Sequence, residues 1–309
     1  MNKINLAGGI ATNAAREEVL ARSSVLGAAP SGEGRFTRTA VACPLHRILQ
    51  ENHTLSLSAA RFVRRYNLVP AVKAINRLMR RIVGYGHKLQ FEAEWRIDPS
   101  PEWYDHLIFQ HWLWHLSRNP MTWERGIFSM LPMKNGCRVL DLCWGGGFFA
   151  HHFFSSRAAS VISVDFDPDA IAHAQTNFRA PNVDYRVADI RSDMPEGQFD
   201  NIVWDAAIEH FTLEESAQLL TAMKKRLGAT GILSGYTIVE NTGGKSLSHH
   251  EYEYKSKEEL AEILKRFFGN VLVFENVSRD QMEQRHNLYF MASDAELPFD
   301  AGWKNMVRL

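Results

Sequence analysis

A chain of 309 residues is long for one domain and short for two complete ones, and 45% apolar with 23% charged residues describes a globular protein with a real core. Its 35 basic residues balance its 35 acidic ones, so no global field draws nucleic acid. Three scattered cysteines argue against a disulfide framework, no run reaches membrane-span length, and the start lacks a signal-peptide core, so the expected location is cytoplasmic.

Residues 1–57 mix Ala, Ser, Gly, Arg and Thr and are expected to be flexible or partly helical. Residues 58–131 are expected to form a helical cap that lines a substrate mouth. Within it Leu68, Val72, Ile75, Met79 and Ile82 recur at helical period across 58–88, with Arg61, Arg64, Arg65, Lys73, Arg77, Arg80 and Arg81 on other faces. Such a basic face is ordinarily solvated; peripheral contact with an anionic membrane surface or a phosphorylated carrier is the alternative. A second helix over 101–118 stops before Asn119 and Pro120, and a third over 122–131 leads into the first strand. From 132 to 295 strands and helices alternate, the pattern of a parallel α/β sheet. Pro168 sits in the first turn of one helix, and Thr212 and Ser256 cap two others. Residues 296–309 form a tail.

The most informative run is Val139-Leu140-Asp141-Leu142-Cys143-Trp144-Gly145-Gly146-Gly147-Phe148, followed by the strand Val161-Ile162-Ser163-Val164-Asp165. In an open α/β sheet the loop after such a strand lies at the carboxyl edge, where nucleotides and their relatives bind. Glycines there allow close backbone approach. An acid about 20 residues on can grip two ribose hydroxyls. The pairing points to an adenosine-containing cofactor.

This layout resembles motif I of the class I S-adenosylmethionine-dependent methyltransferases, D-x-G-x-G-x-G, with Cys143 at the first glycine position and Trp144 after it. Cysteine fits that place if its φ is negative. The resemblance runs in register over about 136–293. Val183 to Ile190 resembles the third strand, Phe199 to Asp205 with Glu209-His210 resembles motif IV, Gly231 to Tyr236 the fifth strand, and Asn287 to Ser293 a last, antiparallel strand. It implies a doubly wound, Rossmann-like, seven-stranded α/β fold with an amino-terminal helical cap. It also implies S-adenosyl-L-methionine as cofactor and S-adenosyl-L-homocysteine as product. Asp141, Cys143, Gly145 and Gly147 would surround the methionyl part, Asp165 the ribose, and Asp189 the adenine amine; Phe166, Ile190 and Asp205 complete the expected pocket. A carboxylate beside an ammonium and a sulfonium is favourable where it would repel a pyrophosphate.

Methyl transfer to a hydroxyl needs alignment and a proton acceptor, and imidazole suits that role near neutrality. His210 follows Glu209 at the motif IV strand end, either as a substrate-facing base or as half of a structural Glu-His pair. His249 and His250 precede Glu251, and His250-Glu253-Tyr254 resembles the H-x-x-E-Y/F segment over the active-site mouth of glycan and small-molecule methyltransferases. The candidate catalytic residues are therefore His250, His210 and Glu209, with His249 and Tyr254 at the substrate. Trp103, Tyr104 and His106 are expected to supply acceptor contacts from the cap. His111 and His115 share a helix face but find no third ligand in the sequence, so no metal is expected.

The expected activity is O-methylation of a small molecule or glycan. N-methylation is the nearest variant, although no Asn/Asp-Pro-Pro-Tyr/Phe signature follows the fourth strand. A non-catalytic cofactor-binding protein is the reading that Cys143-Trp144 would favour. A dinucleotide-dependent oxidoreductase fits poorly with Asp141 before the loop.

Overall fold

The computed structural model describes residues 59–95, 103–143, 145–241, 244–245, 249–279 and 284–298. The expected flexible segment 1–57, Trp144 and most of the tail lie outside the described residues. The chain divides into two compact units, Met1–Pro70 and Ala71–Leu309. Of the first, residues 59–70 are described, with a helical stretch over 59–65 and a turn in which Asn67 takes φ 52°.

The long helix α1 spans Val69–Trp95. The single helix expected over 58–88 is thus two segments. Pro70 lacks the N–H an unbroken helix would need there, and it stands in the first turn of α1, where that donor is not required. Next come α2 (His106–Ser117) and α3 (Met121–Met130). Asp105 starts α2 by accepting from the Leu107 and Ile108 amides, and Arg118 ends it in the left-handed region. At Gly84 a Cβ would lie 2.7 Å from the His115 ring, and Phe91 stacks on Trp112 with centroids 4.8 Å apart, so α1 and α2 meet through small and aromatic residues. Among the described residues no helix is long and apolar enough to cross a membrane.

The sheet is built from β1 (Arg138–Leu142), β2 (Ser160–Asp165), β3 (Val183–Val187), β4 (Phe199–Asp205), β5 (Leu227–Ile238), β6 (Asn270–Arg279) and β7 (Gln284–Ser293). Its order is β3-β2-β1-β4-β5-β7-β6. β1 to β5 pair in parallel and β7 runs antiparallel to β5 and β6. This is the seven-stranded arrangement expected from the sequence. Helices α4 (Phe148–His152), α5 (Pro168–Asn177), α6 (Leu213–Arg226) and α7 (Lys257–Lys265) connect the strands. Asp167 caps α5, Thr212 and Glu215 form a capping box on α6, and Ser256 caps α7.

Alternating side chains feed a core on each face of the sheet. Leu140, Leu142, Ile202, Trp204 and Leu233 pack with Leu220 of α6 and Leu260 of α7 on one side. Val139 and Val203 pack with Phe148, Phe149 and Ala174 on the other. Burial of both faces explains why β1 and β4 read as nearly continuous apolar runs, and it makes their acids conspicuous.

Candidate active site

The strand order reverses between β1 and β4, and this is where a crevice opens beyond the carboxyl edge of such a sheet. Three acids meet there. Asp141 in β1 is fully buried, and its Oδ2 accepts from the Ser163 hydroxyl of β2 at 2.8 Å. Burial pushes its carboxyl up to about 7, with Asp205 and Asp165 adding to the rise. Asp165 closes β2 and accepts from the Gly145 amide at 2.7 Å and the Asp167 amide at 3.0 Å. Burial raises its pKa against the pull of those two donors. Asp205 closes β4 and accepts from Arg125 Nε at 2.9 Å.

Arg125 is the residue that sequence reasoning missed. It comes from α3, is itself buried, and lies 4.3 Å from the centroid of the Tyr236 ring. Burial pulls its guanidinium pKa down, but Asp205, Tyr236 and Tyr104 more than offset this and leave it raised. Burial pushes Asp205 up against the pull of the same arginine. The available signal was periodicity: Arg125 shares the buried face of α3 with Met121, Thr122 and Ser129, at helical spacing. After that pairing, Asp141 Oδ1 and Asp205 Oδ1 are both buried and have no hydrogen-bond partner among the described residues.

The glycine loop is held tightly. Gly145 and Gly147 take φ 49° and 78°, and so does Cys143 at 58°, contrary to the negative angle expected of a cysteine there. The Cys143 amide donates to the Val164 carbonyl at 2.8 Å, so the turn follows the β1–β2 register rather than the preference of its residue. At Gly147 a Cβ would sit 2.6 Å from Ala174 Cβ and 2.8 Å from Tyr185 Cε1, so only glycine permits this approach. Trp103 lies against the loop: a Cβ on Gly145 would be 3.1 Å from Trp103 Cβ, and one on Gly146 would be 3.5 Å from its ring.

Beyond β3, Asp189 is half-exposed and Arg191 Nε bonds both its oxygens at 3.0 and 3.1 Å, which holds the carboxyl below its ordinary range. Phe166 is exposed beside Asp165, whereas Ile190 is buried. Tyr104 and His106 stack with centroids 4.3 Å apart, and Tyr104 also meets Trp95 at 4.4 Å. His106 is buried, and burial together with the Arg125 charge drives its pKa down to about 3. These two expected acceptor contacts thus lie in the aromatic packing next to Arg125.

Glu209 follows β4 in a short 3-10 turn and is buried, its Oε2 accepting from Thr237 Oγ1 at 3.0 Å. Burial raises its carboxyl to about 7. Its carbonyl accepts from the Glu251 and Tyr252 amides at 2.8 and 3.1 Å and so clips the loop after β5 to the end of β4. The clip brings together histidines 39 positions apart in sequence. His210 lies 5.2 Å from His249 and 4.9 Å from His250 by ring centroid. His250 is buried and its Nδ1 is hydrogen-bonded to the buried Glu253 carboxylate, leaving Nε2 for other work. Tyr254 is buried in the core under this loop and its carbonyl accepts from the Glu240 amide.

The match with known proteins falls on this frame. Residues 139–231 match the family described as a methyltransferase domain, from β1 into β5. Ribosomal protein L11 methyltransferase of Erwinia tasmaniensis is 26% identical over 161 residues, covering 48% of this chain and 52% of that protein. The protein of the same name from Thermotoga neapolitana is 32% identical over 118 residues, covering 37% and 44%. The chain therefore spans about half the length of the curated relatives it matches. Among solved structures, N-methyltransferase NodS from Bradyrhizobium japonicum is 18% identical with a TM-score of 0.46, covering 57% of this chain and 98% of that one.

Proposed function

We propose that the chain transfers the methyl group of S-adenosyl-L-methionine to an oxygen of a small molecule or glycan, with a histidine taking the acceptor proton. The observation that carries the cofactor is the pair of buried, unpartnered carboxylate oxygens, Asp141 Oδ1 and Asp205 Oδ1, at the carboxyl edge. Buried carboxylates without partners favour a cationic ligand over a pyrophosphate. S-adenosylmethionine brings an ammonium and a sulfonium. Asp165 then takes the ribose hydroxyls, Phe166 and Ile190 border the adenine, and Asp189 accepts from its amine while Arg191 holds it. Cys143, Gly145 and Gly147 carry the methionyl part along the loop.

His250 is the base in this reading. The Glu253 bond to Nδ1 orients the ring and keeps the Nε2 lone pair available, as the third member of a catalytic relay does. Glu209 positions the loop through its carbonyl, His210 and His249 border the acceptor, and Trp103 approaches it from the cap, with Tyr104 and His106 packed behind it beside Arg125. Calorimetry with S-adenosylhomocysteine is expected to give one site, and methyl transfer from labelled cofactor, screened over sugar nucleotides, glycans and phenolics, would identify the acceptor. His250→Ala should lower kcat by about 10²–10⁴-fold and leave cofactor affinity nearly unchanged. If neither His250→Ala nor His210→Ala lowers kcat by about tenfold, no protein base is used and a nitrogen acceptor replaces the oxygen.

A further inference from the structure

His210, His249 and His250 do more than border the acceptor. One ring nitrogen from each lies within 4.8 Å of the others, two of the residues are exposed, and among the described residues no acid ligand completes the group. The two outer contacts fix which nitrogens face inward. His250 gives its Nδ1 side to Glu253, and His210 is hydrogen-bonded to the His249 backbone. His210 and His250 each keep a second ring nitrogen whose lone pair can turn toward the group. A divalent cation is the species that satisfies three such lone pairs at once.

We propose that His210, His249 and His250 form a binding site for a divalent transition metal of the zinc type at the mouth of the methyltransferase pocket. Three neutral imidazoles suit zinc, cobalt or nickel and suit magnesium or calcium poorly. Glu253 plays the outer-shell part, a carboxylate on the far nitrogen of a ligating histidine that sets the ring's tautomer and orientation. Three protein ligands leave a fourth tetrahedral position open, the arrangement of a reactive rather than a purely structural zinc site. In the proposed function the acceptor is bordered by the same histidines. The ion and the acceptor proton draw on the same His250 lone pair. With the ion bound, the metal would lower the pKa of a hydroxyl in the open position, and that proton would leave to solvent water instead of to His250.

The test is direct binding to the whole chain, without an affinity tag and stripped with chelator. Titration with Co²⁺ should produce the visible absorption of a tetrahedral site, and Zn²⁺ should give a one-site isotherm. His249 is exposed, so His249→Ala keeps the fold; it should abolish the cobalt bands and weaken Zn²⁺ at least 100-fold. Glu253→Gln should weaken Zn²⁺ by about 10–100-fold, the scale for loss of an outer-shell partner. His115→Ala, outside the cluster, should bind as the unaltered chain does. No cobalt absorption and no zinc isotherm in the unaltered chain overturns the site, as does equal Zn²⁺ affinity in His249→Ala. S-adenosylhomocysteine binding, measured on the same samples, is a separate readout: its loss with metal binding intact counts against the methyltransferase reading and leaves the metal site standing.

Discussion

Under the proposed function, Asp141 makes cofactor binding a proton-linked event. Its carboxyl is buried, bonded only by Ser163 on one oxygen, and raised from 3.8 to about 7 by that burial. Below pH 7 the empty site is increasingly protonated, and the ionised fraction falls about tenfold for each further pH unit. A ligand that places an ammonium at Oδ1 selects the ionised form. The affinity for S-adenosylhomocysteine should therefore be roughly 25-fold weaker at pH 5.5 than at pH 7.5, and binding at pH 5.5 should release a proton. Calorimetry in two buffers of different ionisation enthalpy reads both quantities. The stability side has a definite sign. Because the folded pKa lies above the unfolded one, this group's contribution to stability is complete below about pH 4 and is lost as pH rises to about 7. The thermal shift given by the ligand should accordingly be larger at pH 7.5 than at pH 5.5. Glu209 also stands near 7, so Asp141→Asn is the control: its affinity should be low and flat with pH. An affinity that does not vary with pH, or a slope that survives Asp141→Asn, would refute the assignment.

Three further expectations follow from the same site. Arg125→Met strands the buried Asp205 carboxylate and should cost about 3–5 kcal/mol in urea denaturation, part of it recovered by adding Asp205→Asn. Asp165→Ala removes a charged acceptor and releases the Gly145 amide; S-adenosylhomocysteine affinity should fall by about 1.5–3 kcal/mol in a folded protein, and an unchanged affinity would move the ribose elsewhere. Gly147→Ala combines φ 78° with contacts at 2.6 and 2.8 Å and should destabilise by about 2–5 kcal/mol, measured by the same denaturation.

The sheet was legible because parallel strands buried on both faces leave uninterrupted apolar runs, and the acids at the carboxyl ends of β1, β2 and β4 interrupt them at one edge. The caps at Thr212 and Ser256 were legible for a local reason, since a side chain that bonds an amide three residues on needs no tertiary context. What escaped was tertiary. Arg125 reads as one more surface arginine until α3 turns that face onto Asp205. Cys143 adopts a positive φ because the sheet register dictates the turn. The helix expected over 58–88 breaks at Asn67 because Pro70 cannot donate within it. The histidine group depends on a main-chain clip from Glu209 that no side-chain pattern encodes.

Trp103 resting on Gly145 and Gly146 has a kinetic meaning. In the proposed site a ligand laid along that loop would lie against the indole, so Trp103 would have to move for the methionyl end to enter or leave. Under the proposed function this predicts that cofactor binds before acceptor and that release of S-adenosylhomocysteine paces turnover, which product-inhibition patterns and the burst of a single turnover would read.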